Sequence, residues 1–285
     1  MSDLSAIPAR GRRKISAVKP AIYLVGLLLV GIIAVPLVFV FLDGFRTNAQ
    51  INSSATSLPH PWVWLNYRGV LTSSAFWQPL ENSVIVAVIS TGLVLVFGSM
   101  AAFALSRYTF RGREGLFMLF AVGLLFPIQA AALPLYLLLD KIGLLDNLYG
   151  LALAEGAFGL PITMIILRPF MRAIPGELED AAVVDGATRI QFFLRILLPL
   201  CRPALATITV LTFVSSWNQY LLPLLVFTSP DHDTLPLAVA NFATQFSQNT
   251  AGVLAFTALS MVPALGCFVF LQRHLVGGWT GAVKG

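Results

Sequence analysis

The chain has 285 residues, of which 57% are apolar and 11% are charged. Soluble globular proteins are about 45–50% apolar and about 25% charged. This composition and a mean hydropathy of +0.83 exclude a soluble domain, a disordered chain and a collagen-like fibre. Cys201 and Cys267 lie far apart and predict neither a disulfide framework nor a metal site. The sequence therefore predicts an integral membrane protein.

Six apolar stretches are long enough to cross a bilayer as α-helices, which requires about 20 residues each. They are Ala21–Leu42, Ser83–Leu105, Leu116–Leu139, Leu148–Leu167, Pro203–Phe227 and Val253–Leu271. The strands of a membrane β-barrel are about ten residues long and alternate in polarity, which these stretches do not. The expected fold is an all-α integral membrane protein with six transmembrane helices over residues 21–285.

The distribution of basic residues predicts the orientation. With the N-terminus in the cytoplasm, only Arg46, Arg68 and Lys141 of the 18 basic residues lie outside. Cytoplasmic loops are enriched in Lys and Arg, so both termini are expected to be cytoplasmic. The excess of basic residues then reflects topology, and no nucleic-acid partner is expected.

This orientation divides the chain into segments on the two sides of the membrane. A cytoplasmic segment (1–20) precedes the first span, which is too long for a cleaved signal sequence. The external loop 43–82 follows the first span, a second external stretch is 228–252, and the tail 272–285 is cytoplasmic.

The cytoplasmic segment 171–202 carries the signals of a helix–turn–helix. Carboxylates cluster where one helix would begin, a glycine stands where it would end, and a Thr–Gln capping box would begin the next. The residues concerned are Glu177, Glu179, Asp180, Gly186, Thr188 and Gln191. From these signals alone, an amphipathic helix resting on lipid headgroups is an alternative.

The spacing within this segment resembles the EAA loop of the membrane subunits of ABC importers. That family has Glu-Ala-Ala, a glycine and Ile-x-Leu-Pro at fixed separations. The corresponding residues here are Asp180, Ala181, Ala182, Gly186, Ile196, Leu198 and Pro199. Asp180 replaces the usual glutamate and Glu179 is adjacent, which leaves open the carboxylate that makes the family's polar contact.

Other segments resemble the carbohydrate-importer branch of this family, and in particular the second of its two permease subunits. Examples are Ala101-Ala102-Phe103-Ala104-Leu105-Ser106-Arg107, Gly143-Leu144-Leu145-Asp146-Asn147 and Trp217-Asn218-Gln219-Tyr220-Leu221. The resemblance implies a multi-pass protein of the bacterial inner membrane, in contact with lipid. Its implied partners are a second permease in a heterodimer, an ABC ATPase dimer, an extracytoplasmic solute-binding protein and a sugar or polyol substrate.

The resemblance also implies that segment 171–202 is a coupling loop that transmits ATPase motion. The implied ATPase-coupling residues are Glu179, Asp180, Ala181, Ala182, Asp185, Gly186 and Ala187. The chain has no G-x-x-x-x-G-K-[ST] phosphate loop, so ATP and Mg are expected on the ATPase and no cofactor is expected here. No residues are placed for covalent catalysis, so the chain is not expected to be an enzyme.

Polar residues inside the apolar stretches indicate a solute path. An aromatic ring with nearby amides and hydroxyls suits a sugar, which needs a stacking face and hydrogen-bond partners. The candidates for the substrate path are Ser215, Trp217, Asn218, Gln219 and Gln129. Alternatively, these side chains only link helices to one another.

Two other classes of function remain open on the residues alone. Glu155 lies inside the fourth apolar stretch, where a carboxylate is costly in lipid, and a proton-coupled secondary transporter would use such a group. Secondary transporters are commonly built from internal repeats, however, and have no need of an EAA-like loop. A membrane scaffold would predict no polar residues converging within the membrane.

Overall fold

The computed structural model describes residues 18–54 and 56–282, and most of these residues are helical. The first seven helices are α1 (Val18–Asp43), α2 (Asn48–Ser53), α3 (Leu65–Leu71), α4 (Ser74–Arg107), α5 (Arg113–Gly123), α6 (Ile128–Lys141) and α7 (Leu148–Ala173). The next seven are α8 (Glu177–Val184), α9 (Arg189–Phe192), α10 (Leu198–Leu200), α11 (Arg202–Trp217), α12 (Leu221–Val226), α13 (Leu235–Gln245) and α14 (Thr250–Ala282). The described residues contain no β-strand, which confirms the all-α class.

Four helices, α1, α4, α7 and α14, are each long and apolar enough to cross a membrane. Two bent pairs are apolar enough to do so together, which makes six candidate spans if each pair counts as one. The first pair is α5 with α6, and the second is the helical stretch 189–200 with α11.

The third apolar stretch is not one straight helix, contrary to the expectation for Leu116–Leu139. It consists of α5 and α6, whose axes differ by 102° across a break at residues 124–127. Pro127 lacks an N–H group and disfavours helical geometry in the residue before it. The break therefore falls directly before Pro127, and α6 begins after it.

The fifth apolar stretch, expected as one span over Pro203–Phe227, is also interrupted. Helix α11 ends at Trp217 and α12 begins at Leu221, with residues 218–220 between them. Pro223 provides the physical reason, because a proline ring inside a helix clashes with the carbonyl group four residues earlier, here that of Gln219.

The remaining differences are helix boundaries. Helix α4 begins at Ser74, nine residues before the expected Ser83, so part of the external loop 43–82 is helical. Helix α7 continues to Ala173 and α14 to Ala282, beyond the expected ends at Leu167 and Leu271. Residues 1–17 of the N-terminal segment and 283–285 of the tail lie outside the described residues.

Helices α4 and α7 form the centre of the fold, and α11 packs against both. Their close approach depends on small residues: an added methyl at Gly98 would lie 2.5 Å from Thr163 Cγ2, and one at Gly159 would lie 2.6 Å from Val94 Cγ2. Small residues let the backbones of membrane helices pack closely. The elements that carry the candidate site are thereby held against one another.

Candidate functional site: a buried cavity and a helical surface loop

The segment with EAA-like spacing is a helix–turn–helix, which we call the surface loop (residues 177–200). Helix α8 ends at a turn in which Gly186 has a φ of +83°, a left-handed value that favours glycine. The Ala187 amide closes the turn by donating to the Ala182 carbonyl at 2.8 Å. Thr188 and Gln191 form the expected capping box of α9.

The second helix of the surface loop is not a regular α-helix along its whole length. It passes from α9 through a wider π-helical stretch, Phe193–Leu197, into α10, and it bends by 77° at Cys201 to enter α11. Phe192, Phe193 and Leu197 are buried in the same core cluster as α4 and α7. The loop is therefore packed onto the transmembrane helices as one continuous structure.

The two alanines of the EAA-like motif lie on different faces of α8. Ala182 is only 6% exposed and belongs to the core cluster, whereas Ala181 is exposed. The outer face of the loop instead carries large apolar side chains: Val184 is 86% exposed, and Val183 and Ile190 are also exposed. Of the two expected contact alanines, only Ala181 is available to a partner.

Arg107, at the end of α4, joins the transmembrane helices to the surface loop. Its Nη2 donates to the carbonyl oxygens of Met171 and Ile174, each at 3.0 Å. These carbonyls lie where α7 ends, just before α8. Arg107 Nε is also 4.0 Å from Glu179 Oε2, a distance that allows an ion pair but not a hydrogen bond. Glu179 is thus directed toward its own chain, while Asp180 is exposed.

A second arginine fixes the same end of α7. Arg168 is buried, donates through Nε to the Leu105 carbonyl at 3.0 Å and lies 2.5 Å from Glu114 Oε1. Its guanidinium carbon lies 4.1 Å from the centroid of the Phe117 ring, a cation–π distance. Arg168 and Arg107 together connect α4, α5 and α7 at the base of the surface loop.

A cavity of about 340 Å³ lies between the transmembrane helices, and we call it the Glu155 cavity. Ligand pockets are about 300–1,000 Å³ in general. Its walls come from α4, α6, α7, α11 and α12 and from the two helix breaks. The lining residues used below are Ser90, Leu124, Ile128, Glu155, Thr212, Ser215, Ser216, Gln219 and Leu222.

Among the described residues that line this cavity, Glu155 is the only ionisable one, and it is 8% exposed. The Ser216 hydroxyl donates to its Oε2, which links α11 to α7. Its Oε1 has no hydrogen-bond partner among the described residues, and the same holds for Oγ1 of Thr212 across the cavity wall. Buried polar atoms without partners are uncommon, and each costs about 1–3 kcal/mol.

The structure brings some of the expected path residues together and separates others. Ser215 and Gln219 line the Glu155 cavity, with Gln219 in the break between α11 and α12. Trp217 is 3% exposed and stacks on Phe213, in an aromatic cluster away from the cavity lining. Asn218 is exposed and bonds the Val214 carbonyl at 2.8 Å. Gln129 is exposed and does not line the cavity.

At the opposite end of the helices from the surface loop, Asp146 organises a polar corner. Its Oδ1 accepts hydrogen bonds from the Thr228 and Ser229 amides and lies 3.1 Å from His232 Nδ1. Desolvation acts to raise the pKa of Asp146, but these amides and His232 outweigh it and lower the pKa to about 2. The charged carboxylate thus connects the segment that follows α12 to the residues just before α7.

Sequence reasoning did not single out Ser90, Thr212 or Arg107 as functional residues. Ser90 and Thr212 are hydroxyl residues within apolar stretches, and that polarity is the signal available in the sequence. Arg107 was counted as one of many cytoplasmic arginines. Its contacts with Met171 and Ile174 span more than sixty residues of sequence and leave no local pattern.

Interrupted apolar helices around a mostly apolar cavity that holds a buried carboxyl group, with a packed helical loop at one end, are typical of membrane transport permeases. Irregular backbone at membrane depth is tolerated where protein covers it or where it lines a cavity. Residues 94–280 match the family described as the binding-protein-dependent transport system inner membrane component. The chain belongs to this family, which is a transport component rather than a family of enzymes.

Relatives and solved structures agree with this assignment. The arabinooligosaccharides transport system permease protein of Halalkalibacterium halodurans is 33% identical over 280 residues, covering 96% of this chain and 100% of the relative. A diacetylchitobiose uptake system permease protein of Streptomyces coelicolor is 34% identical over 248 residues, covering 86% and 82%.

Among solved structures, a bacterial ABC transporter involved in the import of the acidic polysaccharide alginate is similar in fold. The TM-score is 0.77 at 26% identity, with 90% of this chain and 98% of that chain covered. These similarities are to ABC transporter permeases, and they give the proton-coupled alternative no support.

Proposed function

We propose that this chain is one of two permease subunits of a bacterial inner-membrane ABC importer for a sugar or polyol. It pairs with a second permease to form the translocation path. A separate ABC ATPase dimer binds ATP and Mg, and an extracytoplasmic solute-binding protein delivers the solute. Membership of the binding-protein-dependent family and the saccharides named for two relatives support this assignment.

The observation that carries the proposal is the construction of the surface loop. Its inner face is fixed to α4 and α7 through Ala182, Phe192 and the Arg107 contacts. Its outer face leaves Val183 and Val184 exposed on a short helix beside charged residues. A stiff element with an exposed apolar face suits a groove on another protein, here the ATPase.

In this proposal the two adjacent carboxylates have different roles. Glu179 lies toward Arg107 of its own chain, so it holds the loop in place. Asp180 is exposed beside Ala181, and it is the carboxylate that makes the polar contact with the ATPase. The path for the solute runs through the Glu155 cavity, in which Ser215 and Gln219 present a hydroxyl and an amide. Trp217, Asn218 and Gln129 contribute outside this cavity.

The test is purification of the tagged protein in mild detergent together with its genomic neighbours, followed by ATPase assays. A second permease and an ATPase should co-purify, and the loaded solute-binding protein should stimulate ATP hydrolysis. Val184→Asp should release the ATPase, whereas Glu177→Gln, on the same short helix, should retain it. A chain that purifies alone and transports solute on a proton gradient would contradict the proposal.

A further inference from the structure

The Glu155 cavity has properties that a translocation path alone does not require. Two interrupted stretches contribute to it: Leu124 and Ile128 flank the break between α5 and α6, and Gln219 lies in the break between α11 and α12. Discontinuous helices surround solute sites in many transporters because their backbones can face a ligand. The cavity therefore lies where two helices are interrupted, and it is not a gap left by the imperfect packing of straight helices.

The polar atoms of the cavity are incompletely paired. Glu155 is more than nine-tenths buried, and only its Oε2 is bonded, by the Ser216 hydroxyl. Glu155 Oε1 and Thr212 Oγ1 are both without partners among the described residues. A structural carboxyl would be expected to have both oxygens satisfied, as buried polar groups usually are. Both residues line the cavity, and a hydroxyl group of a bound molecule would supply the partner that these oxygens lack.

The charge of the lining restricts the molecule that can bind. Glu155 is the only ionisable group among the described lining residues, and the other polar ones (Ser90, Thr212, Ser215, Ser216 and Gln219) are neutral hydroxyls and an amide. A solute carboxylate or phosphate would meet no cation among the described lining residues, so the burial of its charge here would be uncompensated. Neutral hydroxyl groups can donate to the free carboxyl oxygen and accept from the Gln219 amide.

We propose that Glu155 is a specificity-determining residue of the path, which binds the hydroxyl groups of a neutral saccharide through Oε1 and disfavours anionic saccharides. Thr212 supplies a second contact from α11, and Ser216 positions the carboxyl group. This inference rests on the proposed importer function and adds to it the chemical class of the solute at this site.

The experiment uses the assembled transporter in nanodiscs, without the solute-binding protein, and saturation-transfer NMR. The probes are methyl β-glucoside and methyl β-glucuronide, which differ in one carboxylate. Glucoside should give the stronger signal with the wild-type complex. Glu155→Leu should weaken that signal about tenfold, the loss expected when a hydrogen bond to a charged or buried carboxyl is removed. Glu155→Gln should retain glucoside binding, because the amide oxygen also accepts hydrogen bonds, and glucuronide should remain the weaker probe because the variant adds no cation.

Two further variants keep the test decisive. Thr212→Val preserves shape and removes one hydroxyl, and it should weaken glucoside binding about threefold, as for one neutral hydrogen bond. Glu81→Gln, the same change at an exposed position on α4, should alter neither probe. Unchanged glucoside binding in Glu155→Leu, absent binding in the wild type, or a wild-type glucuronide signal as strong as that of glucoside would each overturn the inference. Co-purification of the ATPase is measured separately. Failure of the importer assignment can therefore be distinguished from failure of the inference about Glu155.

Discussion

Polar groups are hydrogen-bonded in the surface loop, whereas some are left unpaired in the Glu155 cavity. In the loop, the capping box of Thr188 and Gln191 satisfies the start of α9, and Arg107 satisfies carbonyls at the end of α7, while apolar Val184 is exposed. In the cavity, apolar walls enclose the unpaired oxygens of Glu155 and Thr212. A network whose hydrogen bonds are all made holds one shape and can transmit displacement. Unpaired atoms, in contrast, can form hydrogen bonds to a passing solute.

The largest effect is expected at the turn of the surface loop. Gly186→Pro cannot adopt the φ of +83° because the proline ring fixes φ near −65°. We expect loss of ATPase binding and of nearly all uptake, measured by co-purification and by solute uptake into proteoliposomes. Gly186→Asn is the matched control, since asparagine tolerates the left-handed region better than most residues. Wild-type uptake by Gly186→Pro would break the account of the loop as a rigid element.

The next effect concerns the junction between α4, α7 and α8. Arg107→Ala removes two hydrogen bonds from a charged donor and leaves the Ile174 carbonyl without a partner among the described residues, whereas the Met171 carbonyl keeps a long bond from the Ile174 amide at 3.4 Å. The expected loss is about 2–4 kcal/mol of local stability. Hydrogen exchange measured by mass spectrometry should then accelerate across residues 174–192. Exchange should rise less in Arg107→Lys, which keeps the charge, and unchanged exchange in Arg107→Ala would show that this junction does not hold the loop.

Substitutions at the two alanines of the EAA-like motif distinguish packing within this chain from docking to the ATPase. Ala182→Leu places a large side chain in a filled core and should cost about 1–3 kcal/mol, visible as a lower melting temperature of the purified protein. Ala181→Leu, on the exposed face, should leave the melting temperature unchanged and weaken ATPase co-purification instead. If the two variants lowered the melting temperature equally, the assignment of faces on α8 would be wrong.

The smallest effect is expected at Asp146, at the other end of the molecule. Its pKa is lowered to about 2 from an ordinary value of 3.8, so the charged form favours folding. This contribution is present above about pH 4 and is lost as the pH falls toward 2. Asp146→Asn should lower stability at neutral pH by about 0.5 kcal/mol, as for a screened pair. Thermal unfolding at pH 7 and pH 3 should show the difference between variant and wild type shrinking in acid.

Local chemistry explains what the sequence could predict. Gly186 and the Thr188–Gln191 pair act on their immediate neighbours, so the turn and the capping box of the surface loop were predictable. The cavity depends on Ser90, Glu155 and Thr212 converging from three distant helices, which no local pattern encodes. Pro127 and Pro223 signalled the helix breaks, but prolines are also tolerated inside membrane helices, as Pro161 is within α7. Helical spacing alone does not reveal which face of α8 its own core covers, so the sequence does not distinguish buried Ala182 from exposed Ala181.

The most direct test of the central claim, that the surface loop is the ATPase contact, is photo-crosslinking from single sites. p-Benzoylphenylalanine replaces Val184 on the exposed face of α8 or, as a control, Tyr149, which is exposed at the start of α7. The account predicts a crosslink to the ATPase from position 184 and none from position 149. A complex that hydrolyses ATP but forms no ATPase crosslink at position 184, or forms one at position 149, would contradict it.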